Sequence, residues 1–274
     1  MTVGPLLGLL SKWKMLCGQV GNALGYVRHM PKPWIIGHRG APGHAPENTM
    51  ASFRRAVELG ATFIETDLRL SHDAQFVAIH DATLDRTTNG RGLVRDFTLE
   101  QLRELDAGAW YGEKFAGERV PTLEEILQFA READVVFYLE IKQEFGWGVH
   151  HGIVGALREA KEPARTVVIS FDPGLLEKLR RLDAALLTGF LFETPEPNVL
   201  QEALKIGVRQ ILPRADLVTC ELVSKAHDAG LQVATWTVNS PEQMAALVEM
   251  GVNGIMSDYP DRLRNVVERV GAAK

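Results

Sequence analysis

From Trp34 onward, short apolar runs rich in β-branched residues alternate with segments of helical period, and few architectures accept such an alternation. Strands apolar on both faces must be covered on both, so the pattern reads as parallel strands joined by helical crossovers. The candidate strands are Trp34 to Gly37, Phe63 to Leu70, Phe76 to His80, Val135 to Ile141, Thr166 to Ser170, Leu186 to Leu191, Gln210 to Leu212, Gln232 to Thr235 and Gly254 to Met256. Helix starts lie between them: Asn48 before the first, Thr122-Leu123-Glu124-Glu125 as a capping box, Asp172-Pro173, and Ser240-Pro241-Glu242-Gln243 with proline at the first helical position. A chain of 274 residues is long enough for this alternation to close into a single α/β barrel of roughly 250 residues.

Nine strands are one too many for an eight-stranded barrel, and the link from Leu70 to Phe76 is far shorter than a crossover helix. Those two strands must form a hairpin. A turn centred near Asp73 returns His80 to the level of Thr66, between Glu65 and Asp67, which brings a histidine beside two carboxylates. Between Asp81 and Pro121 the alternation breaks into a glycine-bearing polar stretch, Thr87-Thr88-Asn89-Gly90-Arg91-Gly92, followed by a short helical piece, Leu99 to Leu105. This insertion follows a strand's carboxyl end and is expected over the face where barrel active sites lie.

Polar residues near the carboxyl ends of barrel strands point into that mouth. Here they are His38-Arg39, Glu65 with Asp67, His80-Asp81, and Glu140 with Lys142. Residues two apart share a strand face, so Glu65 joins Asp67 and Glu140 joins Lys142. Three carboxylates converging on one point repel, and a divalent cation resolves the repulsion. All-oxygen ligation suits Mg²⁺ or Ca²⁺, and the His-x-His and His-x-x-x-His spacings of zinc sites are missing from these strand ends. His38 and His80 fit general acid and base, while Arg39 and Lys142 supply charge for a phosphate oxygen. His44 sits in a Gly-Pro-rich loop beside the site as a lesser candidate for substrate contact. His72, His150, His151 and His227 read as structural.

The formal charge of −5 argues against nucleic acid as a ligand, since phosphate-backbone binding needs clustered Lys and Arg. The longest early apolar run, Pro5 to Leu10, is too short for a membrane span and lacks the features of a secretory signal, so a cytoplasmic location is expected. Cys17 and Cys220 are too few and too far apart to suggest a disulfide framework and read as small buried side chains in a reducing compartment. Residues 1–30 carry apolar side chains at Leu6, Leu10, Trp13, Cys17, Val20, Leu24 and Val27, one face of a helix interrupted by glycines. Such a helix needs a covering surface: its own domain, a second copy in a homodimer, or weakly a membrane.

Taken in order, His38-Arg39-Gly40, Pro46-Glu47-Asn48-Thr49, Glu65-Thr66-Asp67, His80-Asp81, Pro121-Thr122-Leu123-Glu124, Glu140-Ile141-Lys142, Trp236-Thr237-Val238-Asn239 and Ser257-Asp258-Tyr259-Pro260 resemble the glycerophosphodiester phosphodiesterase family. The resemblance implies a (β/α)8 TIM barrel, placed at residues 31–274 with a small insertion at 81–121; the extra N-terminal helix read at 1–30 lies outside the resemblance. It implies hydrolysis of a small-molecule glycerophosphodiester to sn-glycerol 3-phosphate and an alcohol, with one divalent cation, Mg²⁺ or Ca²⁺. Carried over by position, His38 and His80 are the catalytic histidines, Glu65, Asp67 and Glu140 the metal carboxylates, and Arg39 and Lys142 the phosphate-binding pair. Trp236 matches an aromatic near the glycerol pocket, and Phe171 is a weaker candidate for the same wall. Glu47 matches an acidic position of unassigned role. The nucleophile is left open between water and the glycerol 2-hydroxyl. Two departures stand out: Ser71-His72-Asp73-Ala74 where the family tends to Thr-x-Asp-Gly, and Ser257 for a usual Thr. The rival readings are a lysophospholipase D acting on membrane lysophospholipids and a non-catalytic barrel that binds a phosphorylated ligand.

Overall fold

A computed structural model describes residues 32–142, 148–160, 165–195 and 197–272; the helix expected over residues 1–30, with its homodimer or membrane contact, lies outside them. The elements run β1 (Trp34–Gly37), α1 (Met50–Glu58), β2 (Phe63–Leu70), β3 (Phe76–Ala78), α2 (Leu99–Glu104), α3 (Leu123–Glu132), β4 (Val136–Ile141) and α4 (Val149–Ala160). They continue with β5 (Thr166–Ser170), α5 (Pro173–Leu182), β6 (Leu187–Phe192), α6 (Val199–Ile206), β7 (Gln210–Pro213), α7 (Cys220–Asp228), β8 (Gln232–Thr235), α8 (Pro241–Met250), β9 (Gly254–Ser257) and α9 (Pro260–Ala272).

Eight parallel strands, in the order β1-β9-β8-β7-β6-β5-β4-β2, close through a β1–β2 pairing into a TIM barrel. The two-sided apolar character of the strands is used in full. Inward residues Ile36, Tyr138, Ile169, Leu191, Leu212 and Met256 fill the lumen. Outward ones such as Ile64, Phe137, Val168, Ile211 and Ile255 pack beneath helical Phe53, Ile126, Leu176, Met244 and Leu263. The buried Tyr138 hydroxyl donates to Gln210 Oε1 at 2.8 Å, which satisfies a polar group that burial would otherwise penalise. Among the described residues no helix is long and apolar enough to cross a membrane.

The ninth strand is the hairpin partner. β3 runs antiparallel to β2 with Leu68 opposite Ala78 and Leu70 opposite Phe76. Ladder pairing ends at Ala78, two residues before the expected limit, yet the Ile79 amide still donates to the Asp67 carbonyl at 3.0 Å, so the expected register of His80 holds. Of the expected helix starts, Thr122, Asp172 and Ser240 do accept from the first helical turn. Asn48 does not: Thr49 caps α1 by accepting from the Ser52 amide, because the Asn48 side chain is committed elsewhere. Cys220, expected as a small buried side chain, is half-buried, and Cys17 lies outside the described residues.

The chain between β3 and α3 is packed on a cluster of its own. Leu84, Val94, Leu102, Ala107 and Val120 gather against Val77 and Ile79 of the hairpin. α2 is held by a capping box in which Thr98 and Gln101 satisfy each other's backbone amides.

In the hairpin turn Ala74 has a φ of +59°, where the resembling family tends to have glycine. A Cβ in the left-handed region costs on the order of 1 kcal/mol that glycine avoids. Ala74→Gly is therefore expected to raise the unfolding free energy by about 1 kcal/mol, measured by urea titration; a loss of stability would show that the methyl group makes compensating contacts.

Candidate active site

The carboxyl ends of β1, β2 and β4 lie side by side, with Gly37 level with Ile64 and Asp67 level with Glu140. That register, with the two-residue strand period, brings Glu65, Asp67 and Glu140 together: one carboxylate oxygen of each lies within 4.8 Å of the others. Above them opens a cleft of about 480 Å³ lined by His38, Arg39, Glu65, His80, Glu140 and Lys142 and walled by Phe171, Leu191, Trp236 and Met256. The eight residues expected at the site all reach this place, Asp67 beneath the cleft floor and the others on its surface.

Two cations are set among the three carboxylates. Lys142 Nζ lies 2.6 Å from both Asp67 Oδ1 and Glu140 Oε1. Arg39 Nε is 3.2 Å from Asp67 Oδ2, and its backbone amide donates to Glu65 Oε2 at 2.8 Å. Asn48 completes the support, donating from Nδ2 to Asp67 Oδ2 at 2.8 Å while its Oδ1 accepts from the Thr66 hydroxyl. Burial opposes ionisation of Asp67, but Lys142 and Arg39 outweigh it and hold that carboxyl well below the usual range. Glu65 goes the other way, raised well above the usual range by burial and then by Asp67 and Glu140. Burial and Asp67 push Glu140 up to about 7. Glu65 Oε1 is buried without a hydrogen-bond partner among the described residues. An all-carboxylate donor set with an orphaned oxygen and an unrelieved proton affinity fits a hard divalent cation.

Each histidine is oriented by a carboxylate. His38 Nδ1 is 2.7 Å from Asp258 Oδ1, and its Nε2 lies 4.0 Å from Glu65 Oε2. Asp258 is itself held by Asn239 Nδ2 at 2.6 Å, and Asn239 Oδ1 accepts from the Asp258 amide at 2.9 Å. His80 Nδ1 is 2.7 Å from Asp81 Oδ1, and Arg69 Nε donates to the His80 carbonyl at 2.9 Å. A carboxylate at Nδ1 favours the tautomer with its proton there, which leaves Nε2 to exchange protons with a substrate. Burial lowers the His80 pKa, partly offset by Asp67.

Sequence reasoning misses Asn48 as a support for Asp67, Asp258 with Asn239 as the support for His38, and Asp81 as the orienter of His80. All four stand inside the family-like motifs, so their signal is their position beside the candidate residues. His44 does not line the cleft; it pairs with Asp261 at 3.1 Å and meets Tyr259 edge-on. His227 is bound to Asn253, as a structural histidine should be. Trp236 and Phe171 meet edge-to-face at 5.5 Å, and the indole donates to the Leu212 carbonyl, which fixes the wall.

The raised carboxyls make stability pH-dependent. Glu140 binds a proton in the fold up to about pH 7, whereas the unfolded chain releases it near 4.5. Its contribution is therefore fully present below 4.5 and declines as pH rises toward 7. Asp67, with a lowered pKa, acts only at more acidic pH, losing its contribution as pH falls below its ordinary 3.8. In chelator, unfolding free energies should fall between about pH 5 and 7, and Mg²⁺ or Ca²⁺ should flatten that fall; a flat profile in chelator would refute the assignment.

The glycerophosphoryl diester phosphodiesterase family model matches residues 38–262. A glycerophosphodiester phosphodiesterase of Caldanaerobacter subterraneus subsp. tengcongensis is 38% identical over 242 residues, covering 88% of this chain and 100% of the relative. One from Bacillus subtilis is 32% identical, covering 84% and 85%. Among solved structures, an Oleispira antarctica phosphodiesterase in complex with the product sn-glycerol-3-phosphate superposes with a TM-score of 0.79 at 27% identity, over 87% of this chain and 97% of that one. With its barrel, its convergent strand-end residues and these relatives taken together, the chain belongs to the glycerophosphoryl diester phosphodiesterase family.

Proposed function

We propose that the protein hydrolyses glycerophosphodiesters to sn-glycerol 3-phosphate and an alcohol, with His38 and His80 as general acid and base. The observation that carries this reading is the pair of carboxylate-oriented histidines flanking one buried three-carboxylate cluster. Binding alone needs no such proton-transfer groups, whereas phosphodiester cleavage needs both a base for the attacking oxygen and an acid for the departing alkoxide.

Glu65, Asp67 and Glu140 would hold one divalent cation, Mg²⁺ or Ca²⁺, whose chemistry is to polarise a phosphoryl oxygen and offset the developing charge. Arg39 and Lys142 bind the phosphodiester. Both are held in the charged state, since burial works against charge but is outweighed by Asp67 together with Glu47 at Arg39 and with Glu140 at Lys142. One histidine accepts a proton at Nε2 from the nucleophile; the other donates from Nε2 to the leaving oxygen. Phe171 and Trp236 give the cleft an apolar flank that suits the carbon skeleton of glycerol and keeps water to one side.

The reading is tested by release of glycerol 3-phosphate from glycerophosphocholine by chelated protein, with Mg²⁺ or Ca²⁺ then restored. Product returning with one ion is expected; no product with either would direct the assay to lysophospholipid substrates, and failure there would leave the phosphate-binding barrel as the better reading. His38→Ala and His80→Ala are each expected to lower kcat by at least ~10²-fold with the circular dichroism spectrum unchanged. A near-native rate for either variant removes that histidine from the scheme.

A further inference from the structure

Glu47 and Asp81 flank the site but do not line the cleft, and neither does Arg86, which belongs to the insertion after the hairpin. One guanidinium joins the two carboxylates. Arg86 Nη1 and Nη2 each donate to a Glu47 oxygen at 2.8 Å, while Nε and Nη2 donate to the Asp81 oxygens at 2.6 and 3.1 Å. Each carboxylate is engaged a second time, by a side chain that does face the cleft. Glu47 Oε1 also accepts from Arg39 Nη1 at 2.8 Å, and Asp81 Oδ1 is the oxygen paired with His80 Nδ1. The path Arg39–Glu47–Arg86–Asp81–His80 is thus continuous.

We propose that Arg86 is a positioning residue that fixes Arg39 and His80 relative to each other through Glu47 and Asp81, and that the insertion contributes to catalysis by presenting it. The proposal rests on the phosphodiesterase reading of Arg39 and His80. The backbone around Arg86 is anchored well enough to present it, since Leu84 is fully buried and the Thr88 hydroxyl and amide both return to the Leu84 carbonyl at 2.7 and 3.0 Å. Arginine is required by the geometry, because a planar fork can engage two carboxylates along two edges and an ammonium cannot. Hydrogen bonds from Arg86 are the first cause holding Asp81 below its usual range, and hydrogen bonds from Arg86 and Arg39 overcome the effect of burial on Glu47.

The groups acting on His80 are Asp67, Arg39 and Lys142 across the cleft and Asp81 beside it, with Arg69 on its carbonyl. Removing Arg86 leaves Asp81 to its interaction with His80 alone, so the imidazole should hold its proton more tightly while sampling more orientations. Arg86→Gln and Arg86→Lys are compared with wild type for glycerophosphocholine turnover and for NMR titration of the His80 imidazole. The expected result in both variants is a kcat lower by at least ~10-fold with KM within ~3-fold and an intact fold, and in Arg86→Gln, where the cation is lost, a His80 midpoint moved upward. Adding Glu47→Gln to Arg86→Gln should cost little beyond the larger single loss, since both break one chain. A kcat within about twofold of wild type with an unmoved His80 titration overturns the proposal, as does a raised KM at unchanged kcat, the mark of direct substrate contact. If the wild-type protein does not turn over substrate, the phosphodiesterase reading fails, and the His80 titration alone then decides whether the path exists.

Discussion

Three carboxylates buried at one end of a barrel are the constraint around which the rest is arranged. Glu65, Asp67 and Glu140 lie within a few ångströms of one another in a setting that penalises charge, and two cations are not enough to neutralise three anions. The compensation is uneven. Asp67 takes Lys142, Arg39 and the Asn48 amide, whereas Glu65 keeps an unpartnered oxygen and a raised proton affinity. A site built this way holds an unmet demand for positive charge at the base of the cleft.

The barrel supplies the carboxylates of this arrangement and the hairpin supplies His80. β2 serves both, since its early residues pair with β1 and β4 inside the barrel while its last residues leave to pair with β3. His80 therefore arrives from outside the parallel sheet, on a segment whose apolar cluster is separate from the barrel core. The two histidines are carried by different substructures, and ion pairs around Glu47 and Asp81 tie those substructures together.

Much of this is legible in the chain because it is local. Strand period decides that Glu65 faces with Asp67 and Glu140 with Lys142, and the brevity of the Leu70–Phe76 link forces the hairpin that delivers His80. What escapes is non-local or chemically ambiguous. Asn48 carries an amide equally able to cap a helix or to hold a carboxylate, and only the fold shows that Thr49 does the first and Asn48 the second. Asp258 meets His38 across 220 residues and Arg86 meets Glu47 across 39, separations over which no periodicity speaks.

The hairpin register carries a consequence for how relatives of this chain can differ in length. Asp67 and His80 are tied through the Asp67 carbonyl and the Ile79 amide, so residues added or lost at the turn around Asp73 lengthen or shorten a loop and leave the pairing untouched. A single residue added within β2 or β3 would turn every following side chain to the opposite face and send His80 away from the carboxylates. Insertions and deletions in this lineage should therefore collect at the turn and in the segment after Asp81, with the few residues between Asp67 and Leu70 held at constant length by the geometry of pairing alone.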